Sequence, residues 1–170
     1  MNFGTNDAEC RDARPCVSTE TNETMNIQEV DIRTLLPQQA PMVMVDRLVS
    51  ADEKSAETAL EVRADNLFVE DGVLKPYALV EVMAQSCAAQ LGYADKYIHG
   101  RNDVRIGYIG SVKKMLVDAA PRVGETLTTH VQMLEDFGDM RMAAAECFIG
   151  ERQIATAELV ITLAEERTNS

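Results

Sequence analysis

The run Pro76–Gly92, PYALVEVMAQSCAAQLG, constrains this chain more than any other stretch. Eleven of its residues are apolar in type, and most of the others are small. A helix that is apolar nearly all round belongs in a core, so this run predicts a central helix with other structure wrapped about it. An ionisable group on such a helix is costly to bury unless it is paired or functional. Glu81 is that group, and Gln85 follows at i+4 on the same face.

The segments around the helix read as strands. From Asp31 a short helix, DIRTLL, is expected to stop before Pro37, with Asp31 as N-cap. MVMVDRLVS and AETALEVR, joined by the acidic turn ADEKS, read as a β-hairpin. ADNLFVEDGVLK reads as a loop into the helix, and Pro76 suits a first helical turn. Past Gly100 the pattern turns to strands: VRIGYIGSVKKMLV, LTTHVQMLED, MRMAAAECFIG and QIATAELVITLA. In the second of these Leu127, Thr129, Val131 and Met133 share one face; in the last, Ala155, Ala157, Leu159, Ile161 and Leu163 do. One apolar helix beside five or six antiparallel strands predicts an α+β domain, a sheet wrapped around that helix. The small residues Ala84, Ala88, Ala89 and Gly92 are expected to let the sheet approach closely.

Residues 1–24 are rich in Thr, Asn, Asp and Glu without periodicity and read as a disordered leader; residues 25–170 form the domain. The net charge of −12 argues against nucleic acid as a partner, because phosphate binding wants a basic surface. No apolar run reaches the ~20 residues of a membrane span, and the start lacks a secretory pattern, so a soluble, cytoplasmic protein is expected. Cys10 and Cys16 lie in the leader, Cys87 and Cys147 in apolar elements. Their spacing fits neither a metal site nor a disulfide framework; reduced thiols, no metal and no cofactor are expected.

In this order the motifs resemble those of the hotdog-fold 3-hydroxyacyl-[acyl-carrier-protein] dehydratases over roughly Ile32 to Ala164. LLPQQAPMVMVDRLV is similar to the family's LLPHRxPxLLVDRV opening, NLFVEDG to its NxxFF segment, and VEVMAQ to its EAMAQ. RIGYIGSVKKM is similar to its glycine-rich strand with a following basic pair. The short DG-x-x-x-P-x-x-x-x-E-x-MAQ form looks most like the dehydratase-like proteins of aryl-polyene clusters. The resemblance implies a hotdog fold with Glu81 as the catalytic acid, supported by Gln85. Two departures stand out. The family's GHFPG loop, with its catalytic histidine, is VEDGVLKP here, and the opening LPH is Leu36-Pro37-Gln38.

Dehydration needs a base for the proton beside the carbonyl, an acid for the leaving hydroxyl, and donors for the thioester oxygen. N–H groups at the helix start, around Tyr77 and Ala78, suit the oxygen, and Gly72 would let backbone approach a thioester. The base is the gap. Asp71 or Glu70 are weak stand-ins, while His99 and His130 read as surface residues. Cys87 reads as a packed apolar group. Lys96–Arg122 holds six basic residues against two acidic ones in an acidic chain. Lys113, Lys114 and Arg105 are therefore candidates for docking an acidic acyl carrier protein, with a lysine-defended strand edge as the alternative. Three functions follow as expectations: a 3-hydroxyacyl-thioester dehydratase on carrier protein or coenzyme A; a non-catalytic subunit completing a site with a homologous hotdog chain; or an acyl thioesterase. A homodimer is the expected minimum assembly.

Overall fold

A computed structural model describes residues 26–102 and 105–164. The expected leader, with Cys10 and Cys16, lies outside the described residues. Strands β1 (Arg47–Ala51) and β2 (Ser55–Glu61) form the first hairpin. A small hairpin, β3 (Val69–Glu70) and β4 (Val73–Leu74), precedes helix α1 (Ala78–Tyr93). A π-helical turn, Ala94–Ile98, extends the helix. Then come β5 (Gly107–Val117), β6 (Thr126–Asp136), β7 (Met140–Ile149) and β8 (Arg152–Leu163). Six strands make one antiparallel sheet in the order β1-β2-β6-β7-β8-β5, which leaves β5 at an edge. This is the expected hotdog arrangement, one long helix against a wrapped sheet. No helix among the described residues is long and apolar enough to cross a membrane.

The alternation read from sequence holds. Leu127, Thr129 and Val131 are buried on β6 with Met133 half-buried, while His130 and Gln132 are exposed. On β8 the row Ala155, Ala157, Leu159, Ile161 and Leu163 is buried. The helix has no single apolar stripe: Leu79, Val82, Met83, Cys87, Ala89 and Leu91 point to several sides and all are buried.

Three buried polar side chains on α1 find hydrogen-bond partners on one side of the fold, although Gln90 Oε1 is left without one. Gln85 bonds the backbone at Met42 and Met44. The Ser86 hydroxyl pairs with that of Thr58 on β2 at 2.7 Å. Gln90 Nε2 donates to the carbonyls of Asp52 and Glu53 in the β1–β2 turn. A buried polar group demands such a partner, so these contacts set where the helix lies. It packs mainly on β6, β2, β7 and β1.

Several expectations are corrected. DIRTLL forms a single 3₁₀ turn, Ile32–Thr34, because Asp31 caps Arg33 N–H and Leu35 N–H closes on Ile32. The first strand begins at Arg47, since Met42 and Met44 spend backbone groups on Gln85. The segment expected as plain loop contains the β3–β4 hairpin. Its two-residue turn is Asp71-Gly72, at φ 52° and 73°, the left-handed pair of a type I′ turn. Gly92 does not serve the sheet: a Cβ there would lie 2.6 Å from the Leu35 carbonyl, so glycine admits the 3₁₀ turn instead. Ala84 and Ala88 are half-buried and face open space described below.

Candidate active site

Glu81 stands in the first turn of α1, half-buried. Gln85, fully buried one turn on, donates through Nε2 to Glu81 Oε1 at 2.7 Å and to the Met42 carbonyl at 2.7 Å. Gln85 Oε1 accepts from Met44 N–H at 2.7 Å. The backbone thereby fixes which way the amide points: only its oxygen can serve the Met44 N–H, and only its nitrogen the Met42 carbonyl. Glu81 consequently meets a donor. Its Oε2 makes no hydrogen bond among the described residues.

Because the helix is held toward β1 and β2, space remains between it and the β5 side of the sheet. That space is a cavity of about 270 Å³. Glu81, Ala84, Ala88 and Leu91 wall it from the helix, Gly107 and Ile109 from β5. Small side chains on α1 and glycine on β5 keep it open, and a Cβ at Gly107 would lie 2.8 Å from Ile161 Cγ2. Gln38 and Arg105 supply polar groups to the same wall. Gln38 Oε1 is buried there without a hydrogen-bond partner. Arg105 is gripped by Asp95 of the π-helical turn, Nε to Oδ2 at 2.6 Å and Nη2 to Oδ1 at 2.7 Å. The cavity is therefore mostly apolar, with an oriented carboxyl, a guanidinium and an unpaired amide oxygen.

The model of the ApeP-like family, described as ApeP dehydratase, matches residues 30–169. The chain belongs to the ApeP-like dehydratase family. Curated relatives agree: the 3-hydroxyacyl-[acyl-carrier-protein] dehydratase FabZ of Clostridioides difficile is 24% identical over 148 residues, covering 84% of this chain and 99% of that protein. FabZ of Natranaerobius thermophilus is 25% identical over 142 residues, covering 80% and 96%. Among solved structures, the dehydratase heterocomplex ApeI:P from Xenorhabdus doucetiae aligns with a TM-score of 0.75 at 18% identity, over 81% of this chain and 93% of that one. The E. coli PaaI protein of the phenylacetic acid degradation operon aligns with a TM-score of 0.54 at 13% identity, over 68% and 80%.

In this ApeP-like chain the remaining candidates fall in three places. Asp71 and Gly72 form the exposed tip of the β3–β4 hairpin, away from the cavity wall, and the Gly72 carbonyl accepts from Val123 N–H at 2.9 Å. Tyr77 is exposed and sets its ring edge-on to Phe68. Ala78 is buried, and its N–H donates to the Lys75 carbonyl; those of Leu79 and Val80 donate to Pro76 and Tyr77. The chain enters the helix through tight turns, so these amides are spent before any substrate arrives.

Lys113 and Lys114 are exposed on β5, at a bulge where Lys114 takes φ 51° and its Nζ meets Glu158 Oε1 at 2.6 Å. Arg105 precedes the other end of that strand, roughly 25 Å away at ~3.3 Å per residue. The three cations do not form one patch. Neither histidine lines the cavity: His99 pairs with Glu53 and His130 with Glu57, both exposed. Burial pushes the Cys87 thiol up to about 12, which leaves it protonated and unsuited to nucleophilic attack. Sequence reasoning missed Asp95 and Gln38. Asp95 sits ten residues before Arg105 across a turn that no periodicity announces. Gln38 is visible only as the residue standing where the related motif has histidine.

Proposed function

We propose that this chain acts on 3-hydroxyacyl thioesters carried by an acyl carrier protein, as the acid-bearing half of a dehydratase site. The observation that carries the reading is Glu81, oriented by Gln85 in the wall of an acyl-sized apolar cavity. In the reaction a base removes the proton next to the thioester carbonyl, and electrons flow toward C3. The C3–O bond breaks, and Glu81 gives its proton to the departing hydroxyl. The products are a 2-enoyl thioester and water. Gln85 donates to Oε1, so the transferable proton belongs on Oε2.

The base comes from a second hotdog chain. The cavity holds no imidazole, and another copy of this chain would bring the same VEDGVLKP loop without one. A homologue carrying a histidine supplies what is missing. The strand β5 offers the place: it is one of the sheet's two edges, and Tyr108, Ile109, Leu116 and Val117 are exposed along it. An apolar edge strand of eleven residues is a template for pairing. The ApeI:P neighbour is by its title a dehydratase heterocomplex, which supports a mixed pair. Lys113 and Lys114 then serve carrier-protein docking, and reversing both to Glu is expected to weaken carrier binding at low salt.

The test follows products by mass from a 3-hydroxyacyl carrier-protein thioester, with the chain alone, with a histidine-bearing homologue, and with Glu81→Gln in each mixture. Water loss that needs both proteins and vanishes with Glu81→Gln supports the reading. Water loss undiminished by Glu81→Gln refutes the role of Glu81. Release of free thiol instead would make the protein a thioesterase.

A further inference from the structure

An acyl-thioester site must hold the carbonyl oxygen while charge builds on it, and preorganised donors in a dry cavity are the usual means. The amides that open α1 are already bonded to Lys75, Pro76 and Tyr77. Gln38 Nε2 and the Tyr108 hydroxyl also line the Glu81 cavity, but Arg105 is the one cationic donor among its lining residues. Two of its nitrogens, Nε and Nη2, are committed to Asp95. Nη1 has no partner among the described residues. Asp95 is only 2% exposed and Arg105 17%, so the pair is largely buried and the two hydrogen bonds hold the guanidinium in one plane. A buried ion pair of this kind adds little net stability over an apolar pair. What it does add is direction: the bidentate grip fixes where Nη1 points.

We propose that Arg105 binds the thioester carbonyl oxygen of the substrate through Nη1, with Asp95 as its positioning residue. This deepens the reading of the Glu81 cavity as an acyl-thioester site and rests on it. It also separates Arg105 from the carrier-docking role expected from charge alone. Arg105 lines the cavity, whereas Lys113 and Lys114 stand on β5 roughly 25 Å from Arg105 at ~3.3 Å per residue.

The probe is a saturated acyl-pantetheine thioester labelled with carbon-13 at the carbonyl, which has no 3-hydroxyl to lose. Its carbonyl infrared band is recorded bound to the full chain and to Arg105→Gln, Arg105→Lys and Asp95→Asn. Circular dichroism establishes that each variant is folded. Arg105→Lys retains a cation for Asp95 but removes the second amino group. The expected result is a low-frequency band in the parent protein that moves to higher frequency in both Arg105 variants and broadens in Asp95→Asn. An unchanged band in folded, thioester-bound Arg105→Lys or Arg105→Gln overturns the proposal. Failure of the parent protein to bind the thioester at all refutes the cavity reading itself, and the assignment of Arg105 falls with it.

Discussion

Gln85→Ala and Glu81→Gln should separate the two residues of the helix pair cleanly. Gln85 is fully buried and makes three hydrogen bonds, two of them to backbone. Truncating it strands the Met44 N–H in a place where Met44 itself has no exposure. A buried donor left unpaired costs about 1–3 kcal/mol. The Met42 carbonyl loses less, because Met42 is 40% exposed and water can reach that segment. The void left by the amide adds about 1 kcal/mol more. The sum is about 2–4 kcal/mol, which at ~2–4 °C per kcal/mol lowers the unfolding midpoint by roughly 5–15 °C. Glu81→Gln keeps an oxygen for Gln85 Nε2 at the same place, so its cost should stay under about 1 kcal/mol.

Thermal unfolding followed by circular dichroism reads both, and product mass reads activity. Gln85→Ala should lose stability and water-loss activity together; Glu81→Gln should lose activity alone. A Gln85→Ala midpoint within about 2 °C of the parent would show that the backbone does not depend on this amide. Gln85 would then not be the residue that orients Glu81. A Glu81→Gln variant as unstable as Gln85→Ala would make Glu81 a structural residue.

Other consequences are as definite. Burial raises the Cys87 thiol from 9.0 to about 12, so the folded chain holds that proton more tightly than the unfolded one. The resulting stability is complete below pH ~9 and is lost as pH rises toward ~12; urea midpoints should fall across that window, less steeply in Cys87→Ala. Gly92→Ala puts a Cβ 2.6 Å from the Leu35 carbonyl and should cost about 1–3 kcal/mol by urea unfolding; an unchanged midpoint would contradict the packing described. Leu116→Asp, at a residue 65% exposed on β5, should leave the single chain folded but weaken its pairing in light-scattering measurements of the mixed complex.

How much of this was legible in the sequence depended on range. Period-two alternation announced β6 and β8 because burial on one face of a strand is a local pattern. The Glu81–Gln85 pair was legible because one helical turn links it. Asp71-Gly72 between VE and VL is a hairpin signal, but strands of two residues are too short to show an alternation around it. Asp95–Arg105 and Gly92–Leu35 were not legible, because each joins residues across a turn or between separate elements. The start of β1 is not legible for a physical reason: Met42 and Met44 look like strand residues, but a helix side chain consumes their backbone groups.

The cavity has the same origin. Gln85, Ser86 and Gln90 all seek partners near β1 and β2, and satisfying them draws α1 to that side of the sheet. The space left over opens beside β5, where Gly107 and the small helix residues keep side chains out of it. The strand that walls the cavity is thus also an edge strand, paired with β8 on one side and open on the other. A partner that completed the sheet at β5 would lie next to the cavity in the act of pairing. Under the proposed reading, the chain that repairs the open edge would thereby bring its own histidine to the acid on α1.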